Sequence, residues 1–484
     1  MQIHWRLVLK VVGFMLLLES LFMFLATAVS DFYHEQETQD LLIAAGITLA
    51  SGCAMVFLSG SRKKMTLIGK KESYLCVALT WTLFALFGAL PFFITGSTPL
   101  FVDAFFESMS GITTTGSSIL TDVDTMPKGI LFWRSSQQWL GGIGIVVFSL
   151  ALLPLLGGGA AQLFDAESSG LTHDKFRPRV TQMAKRIWGI YLGLTVLLVL
   201  LLGFGPMGWF DAVCHSLSTV STGGFSTKSA SIGYWDSGYI EWCIIVFMFI
   251  GALNLPLLYL GLVKGKFNKM FKDTELRWFV AVIVLSVLTI TVSLCFDQTY
   301  AWQVAFRQAG FHVVSFITTT GFTIANFSVW GSFYLVVFLI LMIICGCAGS
   351  TSGGLKMIRA VVLIKNIFRE FERLAHPRAI IPVRVNDQAL TFRVVQRLLA
   401  FAFLYLIIIV ISWGILTVSG ISFSDALSSA ISTIGNAGPG FGAQFASYEF
   451  ISDFAKWYLC FLMLVGRLEL FTILILFTPS FWKR

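Results

Sequence analysis

The sequence predicts an all-α polytopic membrane protein: four covalently linked helix–pore-loop–helix repeats around a central pore, preceded by an N-terminal pair of transmembrane helices. Three observations predict it. Of the 484 residues, 56% are hydrophobic and 12% charged, about half the charged share of an ordinary soluble domain. Ten apolar stretches are long enough to cross a bilayer, which takes roughly 20 residues of helix. The pentapeptide Ile112-Thr113-Thr114-Thr115-Gly116 recurs unchanged as Ile317-Thr318-Thr319-Thr320-Gly321, with weaker copies at Val220-Ser221-Thr222-Gly223-Gly224 and Ile434-Gly435-Asn436-Ala437-Gly438.

The apolar stretches lie near 7–29, 39–60, 74–96, 135–158, 183–205, 238–263, 277–297, 331–355, 394–420 and 455–481. Helix is the expected form, because backbone polar groups in lipid must be satisfied within their own segment. The first stretch is longer than the ~7–15-residue apolar region of a secretory leader, and Glu19 interrupts it. A retained helix is therefore expected, despite the small-residue triplet Ala26-Thr27-Ala28. Glu19 itself is expected to pair locally or to sit near the membrane interface. The first two stretches form the N-terminal pair, residues 1–72. The other eight form four pairs, placing the repeats at 73–165, 180–265, 275–366 and 390–484.

Charge fixes the expected orientation. Segments 61–77, 166–187, 264–277 and 356–397 hold 5, 5, 5 and 9 Lys plus Arg, whereas loops 31–40, 97–134, 205–236, 297–330 and 421–456 hold 0, 2, 1, 1 and 1. Positive charge marks the cytoplasmic side, so the first set and both termini are expected there. Basic residues spread over membrane-edge loops argue for a lipid bilayer around the chain and against nucleic acid. The eight cysteines fall mostly in apolar stretches, and Cys345-Gly346-Cys347 lacks zinc spacing. Neither a disulfide nor a cysteine metal site is expected.

The four glycines Gly116, Gly224, Gly321 and Gly438 are separated by steps of 108, 97 and 117 residues. Thirteen residues before each stand Asp103, Asp211, Gln308 and Asp425, and six before each stand Ser110, Ser218, Ser315 and Ser432. The equivalence thus extends beyond the glycine, as an internal repeat requires. The aspartates are expected as N-caps of short helices entering from outside, whose C-terminal ends favour a cation. Glycine at the loop position admits backbone angles closed to other residues. A ring of backbone carbonyls on one axis is how a protein replaces the water around a potassium ion. The expected potassium ligands are the filter segments Thr114, Thr115 and Gly116; Thr222, Gly223 and Gly224; Thr319, Thr320 and Gly321; and Asn436, Ala437 and Gly438. Small-residue helix packing is the competing explanation for one such loop. Four in register, each between two spanning stretches, outweigh it.

Two further features stand out. Gly346, Gly349, Ser350, Thr351, Ser352, Gly353 and Gly354 crowd into the second span of the third repeat, enough to interrupt a helix; a tight helix contact or the membrane exit near Lys356 would also suit them. Arg467 lies near the middle of the last span. A charge there costs at least ~2.5–3.5 kcal/mol and normally faces a cavity or a partner. Glu469 is two residues away, on another side of a helix. Glu107, His215 and His312 align just before the loops and suit either an outer mouth or packing. Gly141-Gly142-Ile143-Gly144 suits close packing within a span.

These motifs resemble the Trk/Ktr/HKT superfamily of potassium transporters, in detail its bacterial TrkH/TrkG branch. The resemblance covers essentially the whole chain. It includes the extra helix pair, the four loops, Glu167-Ser168-Ser169-Gly170 with Phe176-Arg177-Pro178-Arg179, the glycine-rich break and Gly466-Arg467. It implies potassium uptake across the bacterial inner membrane. It also implies that the glycine-rich segment acts as a gate, with Arg467 on the pore axis beside it. A homodimer and a cytosolic nucleotide-binding gating ring of the TrkA type are the implied partners. The chain itself shows no nucleotide-binding glycine motif, so any controlling nucleotide is expected on another subunit. The sequence also admits a sodium- or proton-coupled secondary transporter, a class marked by inverted repeats and broken helices. Here the charge pattern gives all four repeats one orientation, which favours a pore. A membrane enzyme would need a convergent acid, base or metal cluster, and none is evident.

Overall fold

The computed structural model describes residues 4–60, 70–156, 180–297, 300–386, 388–445 and 447–483. The stretches Glu167–Gly170 and Phe176–Arg179 lie outside the described residues. The chain is mostly helical, and among the described residues six helices are long and apolar enough to cross a membrane: Trp5–Phe32, Thr38–Leu58, Lys71–Ile94, Lys185–Gly203, Thr274–Phe296 and Phe392–Val418. Two bent pairs bring the number to eight if each counts as one span. The protein is a multi-pass membrane protein.

The bent pairs depart from the uninterrupted spans that the sequence predicts over 238–263 and 455–481. Gly238–Gly251 and Leu255–Leu262 meet at 107°. Pro256 sits in the first turn of the second piece, where its missing N–H costs nothing. The Asn254 side chain caps that piece by accepting from Leu257 N at 3.2 Å. Asp453–Arg467 and Leu470–Phe477 meet at 114°, with Glu469 at φ 63° between them. In the third pair, Ser332–Ile344 stops at Cys345, φ 60° and ψ −168°, and a helix resumes only at Met357. In the first pair, Lys128–Leu156 is interrupted at Gly144, φ 70° and ψ 159°. All four second helices are thus broken, where the sequence predicts only the third.

Four shorter helices, Phe101–Ile112, Trp209–Val220, Trp302–Ile317 and Phe423–Gly435, lie between the long ones. Their N-caps are Leu100, Gly208, Ala301 and Ser422, not the aspartates expected there. Asp103, Asp211 and Asp425 fall in the first turn instead, where the helix dipole still favours a carboxylate. Each also takes a partner from elsewhere. Asp103 pairs with the buried Lys456 at 2.6 Å. Asp211 accepts from Thr227 Oγ1 at 2.6 Å, and Asp425 accepts from Ala443 N at 3.4 Å. The aspartates therefore tie three of the short helices to a neighbouring segment rather than capping them.

The two N-terminal helices approach closely where Gly13 and Gly52 face each other, each Cα against the other's carbonyl. Small residues allow such approach in a membrane. Glu19 lies in the middle of the Trp5–Phe32 helix. It is buried, with Oε1 converging on Gly88 together with Gln137 Nε2 and Ser108 Oγ. Between the third and fourth pairs, Arg384–Val385 and Gln388–Ala389 form a two-stranded antiparallel hairpin, Arg384 opposite Ala389. Asn386 in its turn bonds to Thr274 N at 2.8 Å and to Asp273 at 2.7 Å.

Candidate functional site: the ring of four loops

All four short helices end in the same turn. The N–H groups of Thr114, Thr222, Thr319 and Asn436 bond back three residues, at 3.0, 3.0, 3.1 and 3.3 Å. The next N–H groups, of Thr115, Gly223, Thr320 and Ala437, reach the carbonyls of Ser110, Ser218, Ser315 and Ser432 at 2.9, 2.8, 2.9 and 2.9 Å. This is the Schellman closure. It puts Thr114, Thr222, Thr319 and Asn436 in the left-handed region at φ 53°, 53°, 59° and 52°. Asparagine tolerates that region, but a β-branched threonine there is strained. Strain of this kind costs roughly 1–3 kcal/mol per residue and persists only where the surroundings impose it. Two residues on, Gly116, Gly224, Gly321 and Gly438 have φ 83°, 85°, 82° and 94°.

The loops meet in a closed cycle. A Cβ added to Gly116 would strike the carbonyl oxygen of Gly223; on Gly224, that of Thr320; on Gly321, that of Ala437; and on Gly438, that of Thr115. Each contact joins a loop glycine to the residue before the glycine of another loop, and the fourth returns to the first. The side chains along the cycle are nearly all buried. Asn436 Nδ2 reaches Thr115 Oγ1 at 2.8 Å and Met463 O at 3.0 Å. Ser117 Oγ donates to Gly438 O at 2.7 Å.

Behind the loops, Arg134 and Glu107 form a buried ion pair at 2.7 Å. Arg134 also reaches Ser226 O at 3.0 Å and Ser118 Oγ at 3.1 Å, so one guanidinium joins the segments leaving the first two loops. Glu107 accepts from Ile119 N at 2.9 Å. His215 Nδ1 lies 2.8 Å from Asp211 O and Nε2 lies 3.0 Å from Ser226 Oγ. His312 Nδ1 lies 2.9 Å from Gln308 O, with the Phe327 and Trp330 rings against it. All three aligned residues are buried supports.

The Cys345–Lys356 segment is irregular and packs directly on two of the loops. Thr351 Oγ1 is 3.1 Å from Thr222 Oγ1, and Gly353 N donates to Thr319 Oγ1 at 3.2 Å. A second set of bonds joins it to the break at Gly251–Leu255: Cys347 N to Ala252 O at 3.0 Å, Leu255 N to Gly349 O at 3.2 Å, and Thr351 Oγ1 to Gly251 O at 3.0 Å. Glu275 holds both of its ends, one carboxylate oxygen accepting from Ala348 N at 2.7 Å and Ile358 N at 3.1 Å. Arg467 donates to Thr351 O at 2.5 Å and to Gly142 O at 3.2 Å, and also to Gly141 O. Glu469 pairs with Arg359 at 2.8 Å, and Arg467 is thus spent on backbone carbonyls of two other elements.

The whole chain can be compared with known proteins. Residues 42–484 match the TrkH family, described as cation transport proteins. The chain belongs to the TrkH family. The Trk system potassium uptake protein TrkH of Escherichia coli K12 is 39% identical over 484 residues, covering 99% of this chain and 100% of that protein. The TrkG protein of the same organism is 32% identical over 482 residues, with 99% of each covered. The crystal structure of the potassium transporter TrkH from Vibrio parahaemolyticus superposes with a TM-score of 0.90 at 38% identity over the full length of both chains. The TrkH family is one of transporters, not enzymes.

In this TrkH-family chain the sequence-derived residues fall into two contiguous groups, the loops and the Cys345–Lys356 segment with Arg467. The Gly141-Gly142 pair packs closely, as its spacing suggests, against Ile112 O and Ser221, and it also supplies acceptors to Arg467. Four supports are not singled out by sequence: Arg134, Gln138, Glu275 and Lys456. Each is a polar or charged group close to the start of an apolar stretch, where it reads as an ordinary membrane-edge residue. Their burial at 2%, 0%, 6% and 4% exposure is the signal, and it needs the fold.

Proposed function

We propose that this protein takes up potassium across the bacterial inner membrane by channel-like permeation through the four loops. The closed cycle of loop glycines against loop carbonyls carries the reading. On this reading the carbonyls of Thr115, Gly223, Thr320 and Ala437 form one level of the ion path, with Thr114, Thr222, Thr319 and Asn436 one residue before them. Backbone carbonyls in a ring replace the hydration shell of a potassium ion. Irregular backbone at membrane depth is tolerated where it lines a cavity or is buried in protein. The names of the relatives, potassium uptake proteins of a Trk system, support potassium as the ion.

The Cys345–Lys356 segment is the gate, including Gly346, Gly349, Ser350, Thr351, Ser352, Gly353 and Gly354. It is bonded to Thr222 and Thr319 of the filter, clamped by Glu275, and joined by Arg467 to the first repeat. A potassium ion passing ~4 Å from a guanidinium is repelled by roughly 4 kcal/mol at an effective dielectric of ~20. That alone slows passage by about a thousandfold, since each ~1.4 kcal/mol is a factor of ten. Opening requires the segment to withdraw from the ring, driven by a partner that favours the open arrangement. We assign that role to a cytosolic nucleotide-binding ring of the TrkA type acting on a homodimer of this chain.

Rubidium tracer flux into vesicles holding the purified protein, with competing cations, tests the reading. Passive uptake blocked by potassium better than by sodium is the expected result. Uptake that stops when a sodium or proton gradient is collapsed would instead make the protein a coupled secondary transporter.

A further inference from the structure

The second loop carries Gly223 where the two identical loops carry Thr115 and Thr320 and the fourth carries Ala437. The reason lies in the first repeat. Gln138, fully buried in the Lys128–Leu156 helix, occupies the space a side chain at position 223 would need. A Cβ on Gly223 would collide with Gln138 Cδ, Oε1 and Cβ. The amide is fully used on this loop: Nε2 donates to Gly223 O at 2.7 Å, and Oε1 accepts from Phe225 N at 3.0 Å. One turn earlier on the same helix face, Arg134 lies 4.1 Å from the Phe225 ring and bonds to Ser226 O. Residues 22 positions after the other three loop glycines are Val246, Ile343 and Cys460, none of which carries an amide.

Building on the filter reading above, we infer that Gln138 is a specificity-determining residue that acts by positioning the second loop and engaging one carbonyl of the ring. Among the described residues, Gly223 is the one of the four ring carbonyls that takes a hydrogen bond from a side chain. A carbonyl oxygen has two lone pairs, so Gly223 O keeps one to offer an ion. One of those lone pairs is held by an N–H, which fixes the oxygen in place and weakens its pull. Selectivity of a carbonyl ring depends on the size of the ring, on the number and field strength of its oxygens, or on both. Gln138 sets both at one quarter of this ring. The filter is thus asymmetric by construction: three loops supply a carbonyl without a side-chain donor, and one supplies a carbonyl already engaged.

The test measures the potassium-over-sodium ratio of tracer uptake in vesicles holding the full-length protein. Gln138→Leu removes both bonds, and Gln138→Glu keeps the acceptor for Phe225 N while losing the donor to Gly223 O. Both are expected to lower the ratio roughly fivefold to tenfold, the scale of one or two lost hydrogen bonds, while total rubidium uptake persists. A double-mutant cycle covers the case in which the single variants fold poorly. Gly223→Ala alone collides with Gln138 and should abolish discrimination. Gly223→Ala combined with Gln138→Ala should recover discrimination to about the level of the single Gln138 variants, because the two side chains share one space and such pairs couple. Wild-type ratios in both Gln138 variants, or a Gly223→Ala effect that is the same whatever stands at 138, would overturn the inference. Failure of the filter reading looks different: bulky residues at Gly116 and Gly321 would then leave the ratio unchanged as well.

Discussion

The guanidinium of Arg467 donates to the carbonyl of Thr351 at 2.5 Å, so the broken last helix holds the irregular segment of the third repeat against the second and third loops. The same guanidinium reaches Gly141 and Gly142 in the first repeat. The charge bridges three elements, and on the proposed gate reading it also repels a passing cation. Arg467→Ala should therefore raise basal rubidium flux in the isolated subunit by tenfold or more and leave the potassium-over-sodium ratio near wild type. Partial deletion within Cys347–Ser352 should do the same. Wild-type flux in both variants, with the protein folded, would move the gate elsewhere.

Glu275 is the second latch. Removing its side chain orphans the N–H groups of Ala348 and Ile358, at about 1–3 kcal/mol for each buried unsatisfied group. Glu275→Leu should loosen the segment and raise basal flux. Glu275→Gln retains an acceptor oxygen and should fall between wild type and the leucine variant. Amide hydrogen exchange at Ala348 and Ile358 is the direct measurement, with faster exchange expected in Glu275→Leu.

At Gly116 and Gly321, any side chain meets a neighbouring loop's carbonyl and a φ above 80°. Gly116→Ala and Gly321→Ser should weaken potassium preference or abolish flux while detergent-solubilised protein stays monodisperse. Unchanged discrimination across several such variants would remove the filter from these loops.

Breaking the buried pair between Lys456 and Asp103 is a stability experiment. Lys456→Met leaves a carboxylate without its cation at 2.6 Å, and uncompensated buried charges cost ~3–5 kcal/mol. Thermal unfolding in detergent should drop by several degrees. The double variant with Asp103→Leu should regain most of the loss, since neither charge is then left alone.

The partner reading concerns the basic Met357–Ala375 helix. Lys365 and Arg373 already hold backbone carbonyls of Arg384 and Ile381, while Arg369 is more open, in an ion pair with Glu372. Charge reversal at Arg369 should weaken capture of a soluble nucleotide-binding protein from the native host. Reversal at Lys365 or Arg373 should also disturb the hairpin. A native complex containing this chain alone would count against the partner.

The loops were legible in the sequence because glycine at φ above 80° leaves a trace that survives four copies, and because the charge pattern orders the spans. The third break was legible because four glycines share one helix. The breaks near Gly144, Asn254 and Glu469 were not. Each turns on one or two residues, Asn254 with Pro256 or a single positive φ at Glu469, whose effect depends on what packs beside them. Glu275 and Gln138 were invisible for a related reason. An acid or amide near a membrane edge is unremarkable until a backbone from another repeat arrives to bond with it. The aspartates misled because a first-turn carboxylate and an N-cap look alike in sequence and differ by only a few positions.

Ring closure also governs when the site can exist at all. Ser117 waits for Gly438, and Thr115 for Asn436, each 321 residues further along the chain. During synthesis the first three loops are laid down with one side of the ring missing, and the fourth emerges nearly last. A chain that stops short of the fourth loop holds an open arc rather than a closed ring. On the proposed pore function, unfinished copies would offer no complete ion path, and Arg467 arrives in the same final segment that closes the ring.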